Sequence, residues 1–354
     1  MPYFQSMAYI NMQIQKNISL KSFNSFAIDA KARYFSKFSN IEELSALTTY
    51  YLPAGQAGSR LTTFILGGGS NVLFTRDYDG LVLKNEIMGI ETIKEDNEHV
   101  YVKAGAGENW HNLVLYCINN NWAGIENLSL IPGNTGAAPI QNIGAYGVEF
   151  QDVFHELTAY HLNEKSNYTF GLKDCKFSYR DSIFKKEHKD QFAVTSITLR
   201  LNKKPVFHTA YGAVEQELER MGVSEISINA ISQAVINIRT SKLPDTNVIP
   251  NAGSFFKNPV ISNEQFLKLS AEYNGMPNYP QSDGSVKLAA GWLIEQCGWK
   301  GFRRGDTGCH PKQALVLVNY GNATGKEIYN LSEEIFQSVK EKFRVILDRE
   351  VNVF

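Results

Sequence analysis

The chain has 354 residues, of which 43% are hydrophobic and 20% are charged, and its formal net charge is -1. These values are typical of a globular protein of two or three domains, and they exclude the strong electrostatic field of a nucleic-acid or anionic-membrane binder. No stretch approaches the roughly 20 apolar residues that a membrane helix needs, and we expect no signal peptide at the start. Four dispersed cysteines and seven scattered histidines predict reduced, buried thiols, a cytoplasmic location and no metal site.

The first part of the chain predicts a strand, a helix and then a second strand that breaks at three glycines. Short alternations predict a β entry over 22–34, and residues 41–49 predict a helix, followed by an exposed insertion over 52–60. The apolar run 63–66 leads into the three glycines and a Ser-Asn pair, after which a second apolar run covers 72–74. This pattern is typical of a strand that feeds a tight loop.

Consecutive glycines carry no Cβ atoms, so their backbone N–H groups can approach an anion closely. A phosphate or pyrophosphate is therefore a natural ligand for residues 67–71. The residues do not form G-x-G-x-x-G, and no Gly-Lys-Ser/Thr follows, which disfavours a simple Rossmann dehydrogenase and a P-loop kinase. An ordinary glycine-rich turn between strands remains open as the alternative.

Strands are predicted at 80–84 and 99–103, and an apolar stripe at helical spacing predicts a core helix over 108–121. The segment 130–147, LIPGNTGAAPIQNIGAYG, is rich in small residues and amides and has almost no charge. Such a segment usually lies against a flat surface, and a buried Ω-type loop without a ligand is the alternative.

The second half predicts strands at 156–160 and 192–201 and a composition shift after the Lys-Lys-Pro of 203–205. Beyond it we predict helices at 213–221 and 231–242, a loop at 250–259 and a helix at 288–297. A buried strand at 314–318, a long helix at 326–343 and a strand-like end at 345–354 complete the chain.

Five motifs in this order resemble the UDP-N-acetylenolpyruvoylglucosamine reductase family: GGGSN, IPGNTGAAPIQNIGAYG, YRDS, NAGSFFKNP and a terminal E-V-x-x-F. The resemblance covers residues 20–354. It implies an α+β fold, with an FAD-binding domain of the vanillyl-alcohol-oxidase type in two subdomains and a C-terminal α+β substrate-binding domain. The implied limits are a leader over 1–19, an FAD-binding domain over 20–204 with a break near 85–95, and a substrate-binding domain over 205–354.

The resemblance implies NADPH-dependent reduction of the enolpyruvyl ether of UDP-N-acetylglucosamine to UDP-N-acetylmuramate through FAD, for peptidoglycan precursor synthesis. Ser70-Asn71 offers no His or Cys for flavin attachment, so non-covalent FAD is expected. A monomer with no nucleic-acid or membrane partner is expected as well. An FAD-dependent sugar-alcohol oxidase of the same superfamily and a non-catalytic nucleotide-sugar-binding protein are the alternatives.

The two small-residue loops would hold the pyrophosphate of FAD and flank its ring. The implied FAD contacts are Gly67, Gly68, Gly69, Ser70, Asn71, Pro132, Gly133, Gly136, Ala137, Gln141, Asn142, Gly144, Ala145 and Tyr146.

Three residues match catalytic positions of the family. Arg180 would meet the substrate carboxylate, because a guanidinium stays charged and binds two oxygens at once, and its alternative role is a surface ion pair with Asp181 or Glu187. Ser254 would donate a proton, or else serve as a turn residue or helix N-cap. Glu350 would act near the substrate carboxylate, or else be an ordinary solvated glutamate.

Four residues match substrate contacts of the family. The run after Arg180 continues without a gap to Tyr211, which resembles the longer subtype whose extra loop brings a tyrosine to the substrate diphosphate. Lys242 would supply charge to the diphosphate, and Asn258 and Gln313 would orient the UDP moiety. Each of these three could equally be an ordinary surface residue.

Overall fold

The computed structural model describes residues 14–49, 62–210 and 212–354. These residues divide into two compact units. The first holds the described parts of Met1–Ile18, Ala32–Gly68 and Asp79–Arg239, and the second holds Ser19–Lys31, Gly69–Tyr78 and Thr240–Phe354. The domain limits at 19 and 204 stay a prediction, since compact units and functional domains are different quantities. The predicted insertion over 52–60 lies outside the described residues.

The described strands, in chain order, are β1 (Gln15–Ser19), β2 (Lys31–Phe38), β3 (Thr63–Leu66), β4 (Val72–Leu73), β5 (Tyr78–Asn85), β6 (Ile90–Glu95), β7 (His99–Gly105), β8 (Gly144–Ala145), β9 (Val148–Glu149), β10 (Phe154–His161), β11 (Ser166–Gly171), β12 (Phe192–Asn202), β13 (Asn251–Ser254), β14 (Val260–Ile261), β15 (Asn278–Pro280), β16 (Val286–Leu288), β17 (Arg303–Arg304), β18 (Thr307–His310), β19 (Gln313–Asn319) and β20 (Asn352–Val353). The described α-helices are Ile41–Thr49, Trp110–Asn119, Leu172–Cys175, Gly212–Arg220, Ile228–Lys242, Asn263–Glu272, Ala290–Gln296 and Gly325–Phe343.

Two sheets organise the first unit. One has the strand order β1-β2-β5-β3, in which β3 and β5 are parallel. The other has the order β11-β10-β12-β7-β6 and is antiparallel throughout. Helix Trp110–Asn119 covers the second sheet with an apolar stripe that includes Trp110, Leu113 and Cys117, all fully buried. The predicted core stripe is therefore confirmed.

The second unit contains an antiparallel sheet in the order β13-β19-β18-β17, a small sheet in the order β14-β16-β15, and the parallel pair β4 and β20. Its long helix, Gly325–Phe343, begins at a capping box. The Thr324 hydroxyl accepts from the Glu327 N–H, and the Glu327 carboxylate accepts from the Thr324 N–H. These bonds satisfy N–H groups that the first helical turn leaves without helical partners.

Most predicted helices and strands are present with bounds shifted by a few residues, and helix Ile41–Thr49 has the predicted bounds. The β entry over 22–34 is largely wrong, because Lys21–Phe23 forms a 3-10 turn and strand β2 begins only at Lys31. The loop over 250–259 begins as strand β13. Of 345–354, only Asn352–Val353 forms a strand. In these segments the hydrogen-bonding partners are distant in sequence, so the local pattern does not specify them.

The four cysteines are free thiols, as predicted. Cys117, Cys175 and Cys309 are buried, and burial raises the pKa of each of these thiols to about 12. Cys297 departs from the prediction because it is only half-buried.

Candidate functional site

The glycine loop starts where strand β3 ends. Gly67 and Gly68 belong to the first unit, whereas Gly69, Ser70 and Asn71 belong to the second. Gly69 has a φ of +66°, and a Cβ atom there would lie 2.0 Å from the carbonyl oxygen of Phe23. Both the backbone conformation and the close approach therefore require glycine.

Within the first unit, the glycine loop meets the second small-residue loop, residues 132–147, called the 132–147 segment below. A Cβ atom on Gly68 would lie 2.8 Å from the Cα atom of Gly133 and 2.8 Å from Oδ1 of Asn134. A Cβ atom on Gly136 would lie 2.6 Å from Cβ of Ala106. The absence of side chains thus allows two glycine-rich stretches and the turn after β7 to pack backbone against backbone.

Two polar side chains of the 132–147 segment fix it to the turn after β7. Asn134 Nδ2 donates to the Gly107 carbonyl at 2.6 Å, and the Thr135 hydroxyl donates to the Gly105 carbonyl at 2.6 Å. Thr135 is fully buried, so its hydrogen bond is made away from water. Neither residue was among the predicted contacts, and both act by fixing the loop that contains them.

These loops fit a flavin dinucleotide. Gly68, Pro132 and Ala137 are exposed, so the packed loops present small side chains and backbone at the surface of the first unit. Closely approachable backbone amides are the donors that a pyrophosphate needs, and small apolar surfaces suit a planar ring.

Arg180 lies against the end of the 132–147 segment, within the first unit. Its Nη2 atom donates to the Gly144 carbonyl at 2.6 Å. The residue has a φ of +54° and occupies a tight turn in which Ser178 and Asp181 exchange backbone hydrogen bonds. A non-glycine residue in the left-handed region is held there by its surroundings.

The carboxylates proposed as alternative partners of Arg180 each pair with a lysine. Asp181 pairs with Lys186 at 2.5 Å, and Glu187 pairs with Lys176 at 2.8 Å.

Asn142 connects the 132–147 segment to the turn that carries Arg180. Its side chain is fully buried, and Nδ2 donates to Glu149 Oε2 at 2.7 Å and to the Ser178 carbonyl at 3.3 Å. Its Oδ1 accepts from the Gln151 N–H at 3.0 Å. All of these bonds are made to other residues of the first unit, so the Asn142 side chain fixes the position of the segment that contains it.

In the second unit, Ser254 and Glu350 lie on neighbouring backbone segments. The Glu350 N–H donates to the Phe255 carbonyl at 2.8 Å, and Phe256 pairs with Arg349. Ser254 is the last residue of strand β13, so the helix N-cap alternative for it is wrong. Both residues are half-buried, so each retains exposed surface.

Asn71 joins this pair from the glycine loop. Its Nδ2 donates to the Glu350 carbonyl at 3.2 Å, and its own carbonyl accepts from the Asn352 N–H at 3.2 Å. The end of the glycine loop is therefore tied directly to the segment that contains Glu350. Arg180 belongs to the other unit, so its convergence with Ser254 and Glu350 stays a prediction.

Two of the predicted substrate contacts meet at the start of helix Ala290–Gln296. Asn258 Oδ1 accepts from the Ala290 N–H at 3.0 Å, and Gln313 Oε1 lies 3.0 Å from the position of a Cβ atom on Gly291. Lys242 is exposed at the end of helix Ile228–Lys242. Tyr211 lies outside the described residues.

The pair Glu126 and Asn127 was missed by sequence reasoning. Both are about 1% exposed. Asn127 Nδ2 donates to the carbonyls of Tyr146 and His208, at 3.0 and 2.8 Å. Burial raises the pKa of Glu126, and within the described residues neither Glu126 Oε1 nor Asn127 Oδ1 has a hydrogen-bond partner. The only signal was an acid and an amide within a largely apolar stretch.

Among the described residues, no group of three or more His, Cys, Asp or Glu side chains is arranged to hold a metal ion. In the same part of the chain, no helix combines the length and the apolar character needed to cross a membrane.

Comparison with known proteins adds independent support. Residues 39–163 match an FAD binding domain, and residues 244–354 match the family described as UDP-N-acetylenolpyruvoylglucosamine reductase, C-terminal domain. The protein named UDP-N-acetylenolpyruvoylglucosamine reductase in Amoebophilus asiaticus is 50% identical over 342 residues, which cover 97% of this chain and 99% of the relative. The protein of the same name in Flavobacterium johnsoniae is 47% identical over 97% of this chain and 100% of its own length.

A solved structure of UDP-N-acetylenolpyruvylglucosamine reductase from Thermus caldophilus has a similar fold, with a TM-score of 0.67 and 21% identity over 97% of this chain and 99% of that one. The expected order, an FAD-binding domain followed by a C-terminal α+β domain of the reductase family, is confirmed. Full-length identity at this level identifies the family: the chain belongs to the UDP-N-acetylenolpyruvoylglucosamine reductases.

Proposed function

We propose that Arg180, Ser254 and Glu350 perform the chemistry of this enzyme on its substrate. The chain is an FAD-dependent oxidoreductase that uses NADPH to reduce the enolpyruvyl ether of UDP-N-acetylglucosamine to UDP-N-acetylmuramate, a step of peptidoglycan precursor synthesis. FAD, when bound, supplies the transfer of a hydride from NADPH to the C3 carbon of the enolpyruvyl group. The residues of the protein must then meet two needs, because negative charge accumulates on C2 and the adjoining carboxylate, and C2 requires a proton.

Arg180 meets the first need. Its guanidinium binds the substrate carboxylate and stabilises the charge that develops there. The turn at Ser178 and Asp181 and the hydrogen bond to Gly144 restrict the movement of this side chain before substrate arrives. A cation that is already oriented loses little on reorganisation during the reaction.

Ser254 and Glu350 meet the second need. The single observation that carries this assignment is the 2.8 Å hydrogen bond from the Glu350 N–H to the Phe255 carbonyl, which sets Glu350 beside the serine segment. The Ser254 hydroxyl donates its proton to C2, and Glu350 supplies polarity near the carboxylate. Because a serine hydroxyl is a weak acid, the transfer depends on a strongly basic intermediate and on such neighbouring groups.

The substrate nucleotide is bound by residues of the second half of the chain. Asn258 and Gln313, which meet at the start of helix Ala290–Gln296, orient the UDP moiety, and Lys242 and Tyr211 contact the diphosphate. The FAD contacts are the residues predicted within the two small-residue loops at 67–71 and 132–146. The packing of Gly68 against Gly133 supports this assignment.

Cytoplasmic location, a monomeric state and the absence of membrane and nucleic-acid partners are part of the proposal. The four free thiols are typical of a reducing compartment, and a formal net charge of -1 gives no attraction to polyanions. Light scattering of the purified protein tests the monomer, and a dimer mass would refute it.

Anaerobic stopped-flow absorbance of the purified yellow protein tests the function. NADPH should bleach the flavin band, and subsequent mixing with the enolpyruvyl sugar nucleotide should restore it with formation of UDP-N-acetylmuramate. A protein that NADPH does not reduce, and that consumes oxygen with a sugar alcohol, would instead be an oxidase. Binding of UDP-sugars by a flavin-free preparation would favour a non-catalytic role.

A further inference from the structure

Lys84 lies beside the start of the glycine loop and belongs to none of the five family motifs. It lies on strand β5, where it is paired with Leu66, the last residue of the parallel strand β3. Its Nζ atom donates to the Gly67 carbonyl at 2.7 Å. The side chain is half-buried, and burial lowers the pKa of its ammonium group. The Lys84 ammonium group is therefore partly desolvated where it binds the Gly67 carbonyl.

The neighbouring charges leave this hydrogen bond intact. Glu86, which directly follows strand β5, pairs with Lys37 at 2.9 Å. The Lys37 and Glu86 side chains are 53% and 40% exposed, so their pairing is a surface interaction that contributes little to stability.

Peptide geometry gives the Lys84 hydrogen bond a consequence on the other side of the loop. The described residues contain no cis peptide bond, so the carbonyl of Gly67 and the N–H of Gly68 point in opposite directions from one rigid plane. A cation that holds the carbonyl also fixes the direction of that N–H. It polarises the peptide as well, which makes the N–H a stronger donor.

We propose that Lys84 is a positioning residue that orients the Gly67–Gly68 peptide so that the Gly68 N–H faces the pyrophosphate of FAD. Lys84 holds the carbonyl edge of this peptide, opposite to the N–H edge, and acts through the peptide without touching the phosphate oxygens. This role rests on the proposed placement of FAD against the glycine loop.

Flavin retention in the holoenzyme tests this role. We would compare Lys84→Met, which keeps the aliphatic stem, with Lys84→Arg, which keeps a charged donor, and with Lys37→Met as a matched control on the neighbouring strand. Flavin release is followed by recovery of flavin fluorescence after dilution, and ³¹P NMR reports the environment of the bound pyrophosphate. Circular dichroism and thermal unfolding report the fold of each variant.

Lys84→Met should release flavin about ten- to a hundredfold faster, as expected for loss of one charge-assisted hydrogen bond, and should shift the ³¹P resonances of the flavin that stays bound. Lys84→Arg should restore slow release in part, and Lys37→Met should behave as the parent enzyme. Parent-like release and ³¹P shifts in Lys84→Met would overturn the role. Faster release with unchanged ³¹P resonances and a matching loss of thermal stability would also overturn it, because that result is general destabilisation.

Gly68→Val separates failure of this role from failure of the FAD placement. Its Cβ atom would approach Gly133 and Asn134 to 2.8 Å, so the variant should distort the loop and lose flavin. A folded Gly68→Val that keeps flavin like the parent would refute the placement of FAD at this loop. Loss of flavin in Gly68→Val, together with full retention in Lys84→Met, would refute the role of Lys84 alone.

Discussion

Replacement of Asn142 by alanine tests whether the hydrogen bonds of its side chain stabilise the 132–147 segment. The Asn142 side chain makes three hydrogen bonds without exposure to solvent, and its φ of +43° lies in the left-handed region, which asparagine tolerates better than alanine. The substitution therefore removes three hydrogen bonds and adds backbone strain.

The size of the effect follows from these bonds. The bond to the Glu149 carboxylate contributes about 2 kcal/mol and the bond from the Gln151 N–H about 1 kcal/mol, whereas the long bond to Ser178 contributes little. Alanine at this backbone conformation costs about 1 kcal/mol relative to asparagine. The Gln151 side chain still donates to Glu149 at 2.8 Å, which offsets part of the loss. We therefore expect Asn142→Ala to lower the free energy of unfolding by about 3 kcal/mol.

Urea unfolding followed by circular dichroism measures this change, with Asn167→Ala as the control. Asn167 is an exposed asparagine on strand β11, and its replacement should change stability by less than about 0.5 kcal/mol. Because Asn142 anchors the segment that contains Gly144, whose carbonyl accepts from Arg180, the variant should bind the substrate carboxylate more weakly through a less ordered Arg180. A destabilisation below about 1 kcal/mol would show that these bonds do not support the segment as described.

Three further outcomes are expected. In stopped-flow, Ser254→Ala should leave flavin reduction by NADPH near the parent rate and slow reoxidation by substrate about a hundredfold or more, because only the second half-reaction needs the proton. Equal slowing of both steps in a flavin-loaded variant would contradict the donor role. Tyr211→Phe should raise the KM for the sugar nucleotide about tenfold with little change in the KM for NADPH, and an unchanged KM for the sugar nucleotide would remove Tyr211 from the site. Burial raises the pKa of Glu126 above its ordinary value of 4.5, so the folded state binds its proton more tightly than the unfolded state, and stability is lost as pH rises from 4.5 through the raised pKa. Glu126→Gln should abolish that loss and be more stable than the parent at neutral pH in urea unfolding, and an unaltered pH dependence would show that the carboxyl is not desolvated as described.

The sequence by itself determined the elements whose cause is local. The stripe with Trp110, Leu113 and Cys117 follows from helical periodicity, because residues three and four apart share one helix face. The presence of a loop at the three glycines also followed from composition, since residues without Cβ atoms interrupt a strand and permit a turn or a close backbone approach. Even so, the need for glycine at position 69 became clear only from the carbonyl of Phe23, a residue far away in the sequence.

Only the tertiary structure decided which distant residues meet. The pairing of the Ser254 and Glu350 segments, the attachment of Asn71 to Glu350 and the hydrogen bond from Lys84 to Gly67 each join strands or loops that are not adjacent in the chain. Periodicity and propensity describe the surroundings of a residue along the chain, whereas these partners are selected by strand register and by packing of the whole unit. For the same reason the buried Asn127 gave no sequence signal of its role, which depends on the carbonyls of Tyr146 and His208 being brought to its side chain by the fold.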